Sequence, residues 1–244
     1  ITHGTLSLFD EFLLPSVYMP PLYSYYLYFF SIFNFEEQNY VQLILSSQIL
    51  LSSISVAVFY KINKIFFSPK ISFYSSLLFS LFPLHVYACG QISSISLQVF
   101  CIILFFYFFF QLVKKRNLLS IALFSFIGGL LMLLRGEFFV ILALSLIYLF
   151  LFFKIPIKNI LLILLISLIT ISPYLIRNIL VFETITITKS FGINLWKGNN
   201  PNSTIEGTRF FDDDLQKQIN LVPKDKFYEI NYDKVFLDQA IKHI

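Results

Sequence analysis

The chain has 244 residues, 57% of them hydrophobic and only 13% charged, with a formal charge of +4. The 31 Phe and 14 Tyr far exceed ordinary usage, and the apolar residues come in long runs rather than in alternation, which excludes a soluble core and indicates an integral membrane protein. So small a charge leaves no footprint for nucleic acid. Cys89 and Cys101 show neither metal-ligand nor redox spacing, and His3, His85 and His243 are scattered without a partner ligand.

Residues 1–39 do not form a span. Asp10 and Glu11 precede Pro15, Pro20 and Pro21, and Leu22–Phe33 is an aromatic run too short to cross a bilayer. Its tyrosines favour the membrane interface, so it is expected as a helix lying against the outer leaflet. Six apolar spans are predicted next: Tyr40–Tyr60, Ile71–Tyr87, Ser93–Val113, Leu118–Leu134, Phe138–Phe153 and Ile157–Ile176. The expected fold is an all-α, multi-pass transmembrane bundle. Its regions are an external loop with an interfacial helix (1–39), the membrane domain (40–176) and an external loop leading into a small helical segment (177–244).

Charge sorts the connections. Lys61, Lys64 and Lys70, then Lys114, Lys115 and Arg116, then Lys154 and Lys158 occupy alternate connections with no acid among them. All 14 Asp and Glu residues fall elsewhere. By the positive-inside rule the basic connections are cytoplasmic, and residues 1–39 and 177–244 share the opposite face.

After Pro201 the chain turns polar. Asp212, Asp213 and Asp214 precede Leu215–Leu221 and can cap a short helix, and a second amphipathic run covers Tyr232–Ile244. Three adjacent carboxylates without a His partner read as a solvated cap, and the sequon Asn202-Ser203-Thr204 is short enough to arise by chance. The chain starts at Ile1 rather than Met, and it is expected to be part of something longer.

Chemistry concentrates between Ser172 and Pro201. The last span ends at Pro173-Tyr174, with Arg177-Asn178 one turn later. After the β-branched run Thr184–Thr188 comes Gly192-Ile193-Asn194-Leu195-Trp196, then Gly198-Asn199-Asn200-Pro201. An arginine at a membrane surface can fork two donors onto a phosphate, or it can anchor a helix end by snorkelling. Asn194, Asn199 and Asn200 both donate and accept, as sugar hydroxyls require. Trp196 can stack on a pyranose face or serve as an interfacial anchor, and Gly192 and Gly198 let a loop backbone approach closely. Arg135-Gly136-Glu137 places a cation and an acid between two spans, either as phosphate and sugar contacts or as a local ion pair closing a turn.

The order P-[YW]-x-x-R-N followed by G-x-N-L-W-x-G-N-N-P resembles the membrane glycosyltransferases of the protein-mannosyltransferase and aminoarabinose-transferase type. Pro20–Tyr23 resembles the proline-rich element of their first external loop. Arg135 resembles an arginine they carry after an apolar run, here Gly128–Leu134. The resemblance implies a sugar taken from a polyprenyl-phosphate carrier on the non-cytoplasmic face and passed to a lipid, glycan or protein. It implies Arg177 and Arg135 on the carrier phosphate, and Tyr23, Gln91, Glu137, Asn178, Gly192, Asn194, Trp196, Gly198, Asn199 and Asn200 around the sugar. In those enzymes an Asp at the outer end of the first helix is the general base that activates the acceptor hydroxyl. Here it is expected upstream of Ile1, with Asp10 and Glu11 as weak substitutes. Relatives also place an acid near Ile95 that this chain lacks. No cofactor is firmly implied and a divalent metal is left open. A lipid-linked saccharide transporter would instead need polar groups inside its spans. A non-catalytic membrane subunit is the other alternative.

Overall fold

The computed structural model describes residues 14–33, 36–200 and 213–242, and every regular element among them is an α-helix. This is the outcome that lipid imposes on an open chain, because a helix satisfies its backbone bonds internally. The helices are α1 (Leu22–Ser31), α2 (Glu37–Phe66), α3 (Pro69–Ser80), α4 (Pro83–Cys89), α5 (Ile95–Lys115) and α6 (Leu118–Leu134), then α7 (Phe138–Leu151), α8 (Ile157–Phe182), α9 (Phe191–Asn199), α10 (Asp213–Asn220) and α11 (Tyr228–Lys242). Among the described residues, Leu14–Pro20 with the chain from Pro173 onward make one compact unit, and Pro21–Ser172 make the other.

All six predicted spans appear as apolar helical segments, though not as six equal rods. Helices α2, α5 and α8 are long and apolar enough to cross a membrane. The predicted span over Ile71–Tyr87 is broken into α3 and α4, bent by 55°. Pro83 starts α4 at a position where its missing N–H costs nothing, and it cannot continue α3. Helices α6 and α7 have 17 and 14 residues. At about 1.5 Å per residue they reach roughly 25 and 21 Å, short of a hydrocarbon layer of roughly 30 Å. A shorter span is accommodated by local thinning or by flanking residues, so length alone does not remove them from the membrane.

The membrane unit is built around α5, α6, α7 and the first half of α8, with Phe105, Phe109, Phe124, Leu131 and Leu149 at its centre. Phe105 and Phe109 both pack on Phe124, at ring separations of 4.6 and 5.9 Å. Large apolar side chains such as Phe139, Leu144 and Leu151 face outward, as lipid-facing residues do. Asn117 caps α6 by accepting from the amide of Ser120 at 2.9 Å. Arg116, left-handed at φ 49°, donates from Nη2 to the carbonyl of Phe153 at 3.0 Å. That bond puts the second and third basic connections at the same end of this unit, as alternation requires.

Two features let the apolar helices approach closely. A Cβ on Gly129 would lie 2.6 Å from Cβ of Thr170 and 3.2 Å from the carbonyl of Ser167. Beside it, Ser167 donates to the carbonyl of Ser125 at 2.9 Å. Small residues with a serine bond are the usual adhesive between helices in lipid. Gly129→Val is therefore expected to lower the thermal midpoint of the chain in nanodiscs, by overpacking of on the order of 1–3 kcal/mol. An unchanged midpoint would show that α6 and α8 are not held at this glycine.

Candidate functional site

In the unit that contains Arg177, the segment Ser16–Tyr18 has no helix or strand of its own, yet its backbone groups are taken up by three other elements. Arg177, on the last turns of α8, donates from Nη1 to the carbonyl of Ser16 at 2.9 Å and to Oδ1 of Asn178 at 2.8 Å. Glu229, in the first turn of α11, accepts the amide of Val17 at 2.6 Å. The amide of Lys189 donates to the carbonyl of Val17 at 2.9 Å, and Oγ1 of Thr188 donates to the carbonyl of Tyr18 at 2.6 Å. Buried backbone groups must find partners, and here side chains and a neighbouring loop supply them.

Arg177 is half-buried. Its guanidinium carbon lies 5.0 Å from the ring of Phe182 and 5.8 Å from that of Tyr174. Only Nη1 has hydrogen-bond partners among the described residues, so Nε and Nη2 retain donors. The two sequence readings of this arginine thus resolve into a third arrangement: one nitrogen fixes the protein and the others are available. Asn178 is fully buried and donates from Nδ2 to the carbonyl of Thr186 at 2.7 Å, which makes it a pin for the 184–188 segment.

The expected loop from Gly192 is instead a helix. Gly192, Asn194, Trp196, Gly198 and Asn199 all lie on α9, and Asn200 ends it. Ser190 gives no side-chain cap, but Asp233 of α11 accepts the amide of Ile193 at 3.0 Å and satisfies that turn from outside. Gly192 serves close packing rather than a loop approach, since a Cβ there would lie 2.1 Å from the carbonyl of Asp233. Trp196 is 4% exposed and packs edge-on against Phe236 at 5.1 Å, in a core with Ile193, Leu215, Ile219 and Ala240. In this arrangement its indole face is not open to a pyranose. Asn194, Gly198 and Asn199 form the exposed side of the same helix. Asn199 Nδ2 is returned to the carbonyl of Leu195 at 2.8 Å.

The remaining candidates belong to the membrane unit. Tyr23 opens α1 and donates to Oε1 of Gln48 at 3.3 Å. Burial, then the neighbouring Tyr26 and Tyr40, push its phenol up to about 12, so it stays a neutral donor. Gln48 Nε2 in turn donates to the carbonyl of Gln91 at 2.8 Å. At Gln91 it is the backbone that is held, and the side chain is exposed. Tyr26 pairs with Ser47, and Tyr40 donates to the carbonyl of Leu27 at 2.9 Å, so α1 is tied to α2 by phenols rather than by apolar burial alone. Arg135 and Glu137 form an ion pair at 3.3 Å with side chains 54% and 69% exposed. An exposed pair of this kind contributes between about 0 and 1 kcal/mol and leaves Arg135 able to exchange partners. Asp10, Glu11 and Asp212 lie outside the described residues. Asp213 and Asp214 occupy the first turn of α10, and no group of three metal-ligating side chains occurs among the described residues.

Sequence reasoning missed Gln48, Asp233 and Glu229. The last two do carry a signal. Glu229, Asp233, Phe236 and Ala240 recur at helical spacing, and all four are buried. Two acids in phase with an apolar stripe mark carboxylates that have internal partners.

Apolar helices long enough to cross a membrane, with an arginine engaged near the end of one of them, define a multi-pass helical membrane protein. The family model of dolichyl-phosphate-mannose-protein mannosyltransferases matches residues 19–176, and the chain belongs to that family. It is thus a membrane glycosyltransferase of the mannosyltransferase-like kind. The match takes in Tyr23, Gln91, Arg135 and Glu137 and ends one residue before Arg177. No curated protein and no solved structure matches the chain.

Glu229 also sets a pH expectation. Burial raises its carboxyl above the ordinary value of 4.5, against the opposing hydrogen bonds from Val17, Ser16 and Tyr18 and the charge of Arg177. A folded value above the unfolded one means the folded state binds the proton more tightly. The contribution is present below 4.5 and is lost as pH climbs through the raised value. Thermal midpoints should fall across that window in the native chain, and Glu229→Gln should flatten the fall. An equal slope in both would assign the effect to other groups.

Proposed function

We propose that the chain transfers a sugar from a polyprenyl-phosphate carrier to an acceptor hydroxyl on the non-cytoplasmic face of the cell membrane. The observation that carries this reading is Arg177, fixed by one nitrogen at the end of α8 with its remaining donors uncommitted among the described residues. Family membership supports a lipid-linked sugar donor. In the transfer, the acceptor oxygen bonds to the anomeric carbon as the bond from that carbon to the phosphate oxygen breaks. The departing phosphate carries the new charge, and a prefixed guanidinium stabilises it without reorganising. The acceptor proton passes to a carboxylate, for which Asp10 and Glu11 are the acids this sequence offers before the proline-rich element. Arg135 is a second candidate cation, held only by its exposed pairing with Glu137. Of the sugar-contact candidates, Asn194 and Asn199 on the open side of α9 fit the reading better than the buried Trp196 and Asn178.

The transporter reading asks for working polar groups inside spans. Gln48 and Asn63 are buried polar residues of α2, but Gln48 joins Tyr23 to Gln91 and Asn63 donates to Ser75 at 3.2 Å. Both are committed to structure, whereas Nε2 of His85 and Oε1 of Gln111 are buried without a hydrogen-bond partner among the described residues, so it is family membership rather than span polarity that supports transfer.

Two measurements test the proposal. Arg177→Ala should weaken binding of a polyprenyl phosphate by on the order of 2–5 kcal/mol, while Arg177→Lys, which keeps charge but loses the fork, should fall between. Wild-type affinity in the alanine variant would return Arg177 to a purely structural role. For orientation, cysteines introduced at Asn199 or Asp213 should react with an impermeant reagent from outside intact cells, and those at Lys64 or Lys115 should not. Labelling at Lys64 would reverse the orientation and with it the face on which transfer occurs.

A further inference from the structure

The carbonyl that Arg177 holds and the amide that Glu229 holds belong to one peptide group. Nη1 of Arg177 donates to the oxygen of Ser16 at 2.9 Å, and the nitrogen of Val17 donates to Oε2 of Glu229 at 2.6 Å. A peptide unit is planar, so a carboxylate that fixes the direction of its N–H also fixes the direction of its C=O. Ser16 and Tyr18 lie close enough to favour the charged form of the same carboxylate, and the amide of Tyr18 donates to Oγ of Ser16 at 3.3 Å. Glu229 is 8% exposed and Val17 is fully buried, so water does not compete for this position. The groups that face the clamp are accounted for: Arg177 across the peptide, Tyr228 beside Glu229 on α11, and Thr188 and Lys189 on the neighbouring loop through their hydrogen bonds to the strap.

We propose that Glu229 is a positioning residue for Arg177: through the peptide between Ser16 and Val17 it sets where the carrier-binding guanidinium stands. The proposal rests on the reading of Arg177 as the phosphate ligand. A segment without secondary structure would otherwise drift, and an arginine tied to a drifting carbonyl would lose its prefixed geometry. Polarisation adds to this, because a peptide whose N–H faces a carboxylate presents a stronger acceptor to the guanidinium. Glu229 is assigned no proton transfer, since it is buried and its Oε2 already accepts the amide of Val17. Its consequence reaches the carrier only through Arg177.

The test uses the full chain in lipid nanodiscs, with undecaprenyl phosphate as the probe, and compares Glu229→Gln, Arg177→Ala and the double variant. Glu229→Gln should weaken probe binding about tenfold, within the usual range for coupled neighbours. The double variant should bind no more weakly than Arg177→Ala alone. A separate readout is the Nε–H resonance of Arg177 in arginine-labelled protein, identified by its loss in Arg177→Lys. It should shift or broaden in Glu229→Gln, and Glu229→Asp, which keeps the charge on a shorter stem, should recover part of both signals. If Arg177→Ala weakens binding but Glu229→Gln does not, the positioning role falls and the phosphate reading stands. Losses that multiply in the double variant would show Glu229 acting independently and would overturn the proposal. If Arg177→Ala binds the probe like wild type, the phosphate reading falls and this proposal falls with it. Failure of both Glu229 variants to fold would assign the residue to folding and would equally overturn it.

Discussion

A single peptide group, between Ser16 and Val17, carries opposite charges on its two faces: the guanidinium of Arg177 on its carbonyl and the carboxylate of Glu229 on its amide. Much of this unit's order follows from that arrangement. Two charged side chains far apart in sequence are both largely withdrawn from water, and neither is abandoned, because a dipole of fixed direction lies between them. Breaking either end leaves a buried charge without compensation, which costs far more than the hydrogen bond itself. The segment 184–190 joins the same arrangement through Thr188 and Lys189, and Asn178 holds that segment to the end of α8. Arg177 is thus held in one orientation by the protein itself.

The membrane unit follows a different logic. Apolar side chains gain little from meeting each other in lipid, so close packing and a few internal hydrogen bonds decide where helices meet. Gly129 against Thr170 and Ser167 against the carbonyl of Ser125 illustrate the first half of that rule. Gln48 illustrates the second, reaching from Tyr23 to the turn at Gln91 with no polar atom wasted. A glutamine at such a place fixes the position of α1 relative to the turn at Gln91. The phenols of Tyr23 and Tyr26 on α1 and of Tyr40 on α2 each make a hydrogen bond between these helices that a Phe could not make.

Helices α9, α10 and α11 share a small apolar core in which Trp196 and Phe236 are the largest members. Their packing explains why a motif that reads as a flexible, sugar-shaped loop is rigid. Gly192 lets the backbones of α9 and α11 touch, and Asp233 then completes the first turn of α9. The glycine, the acid and the tryptophan are parts of one helix–helix contact. The outward edge of α9 carries Asn194 and Asn199.

The sequence by itself determined the class of protein, the apolar segments and their order, and the presence of a cation at the end of the last apolar run. Each of these is written in local composition: run length, aromatic enrichment, charge between runs, a cation at a helix end. Only the tertiary structure decided that the span over 71–87 is broken at Pro83, that α9 is a helix, and that Trp196 and Asn178 are interior. It alone brought Val17 and Glu229, 212 positions apart, together, with Arg177 on the other side of the same peptide. The physical reason is that hydrogen-bond satisfaction is settled between segments, not within them. A carboxylate in phase with Phe236 and Ala240 announces that it will be buried, but the amide that it will meet is named only when the chain has folded.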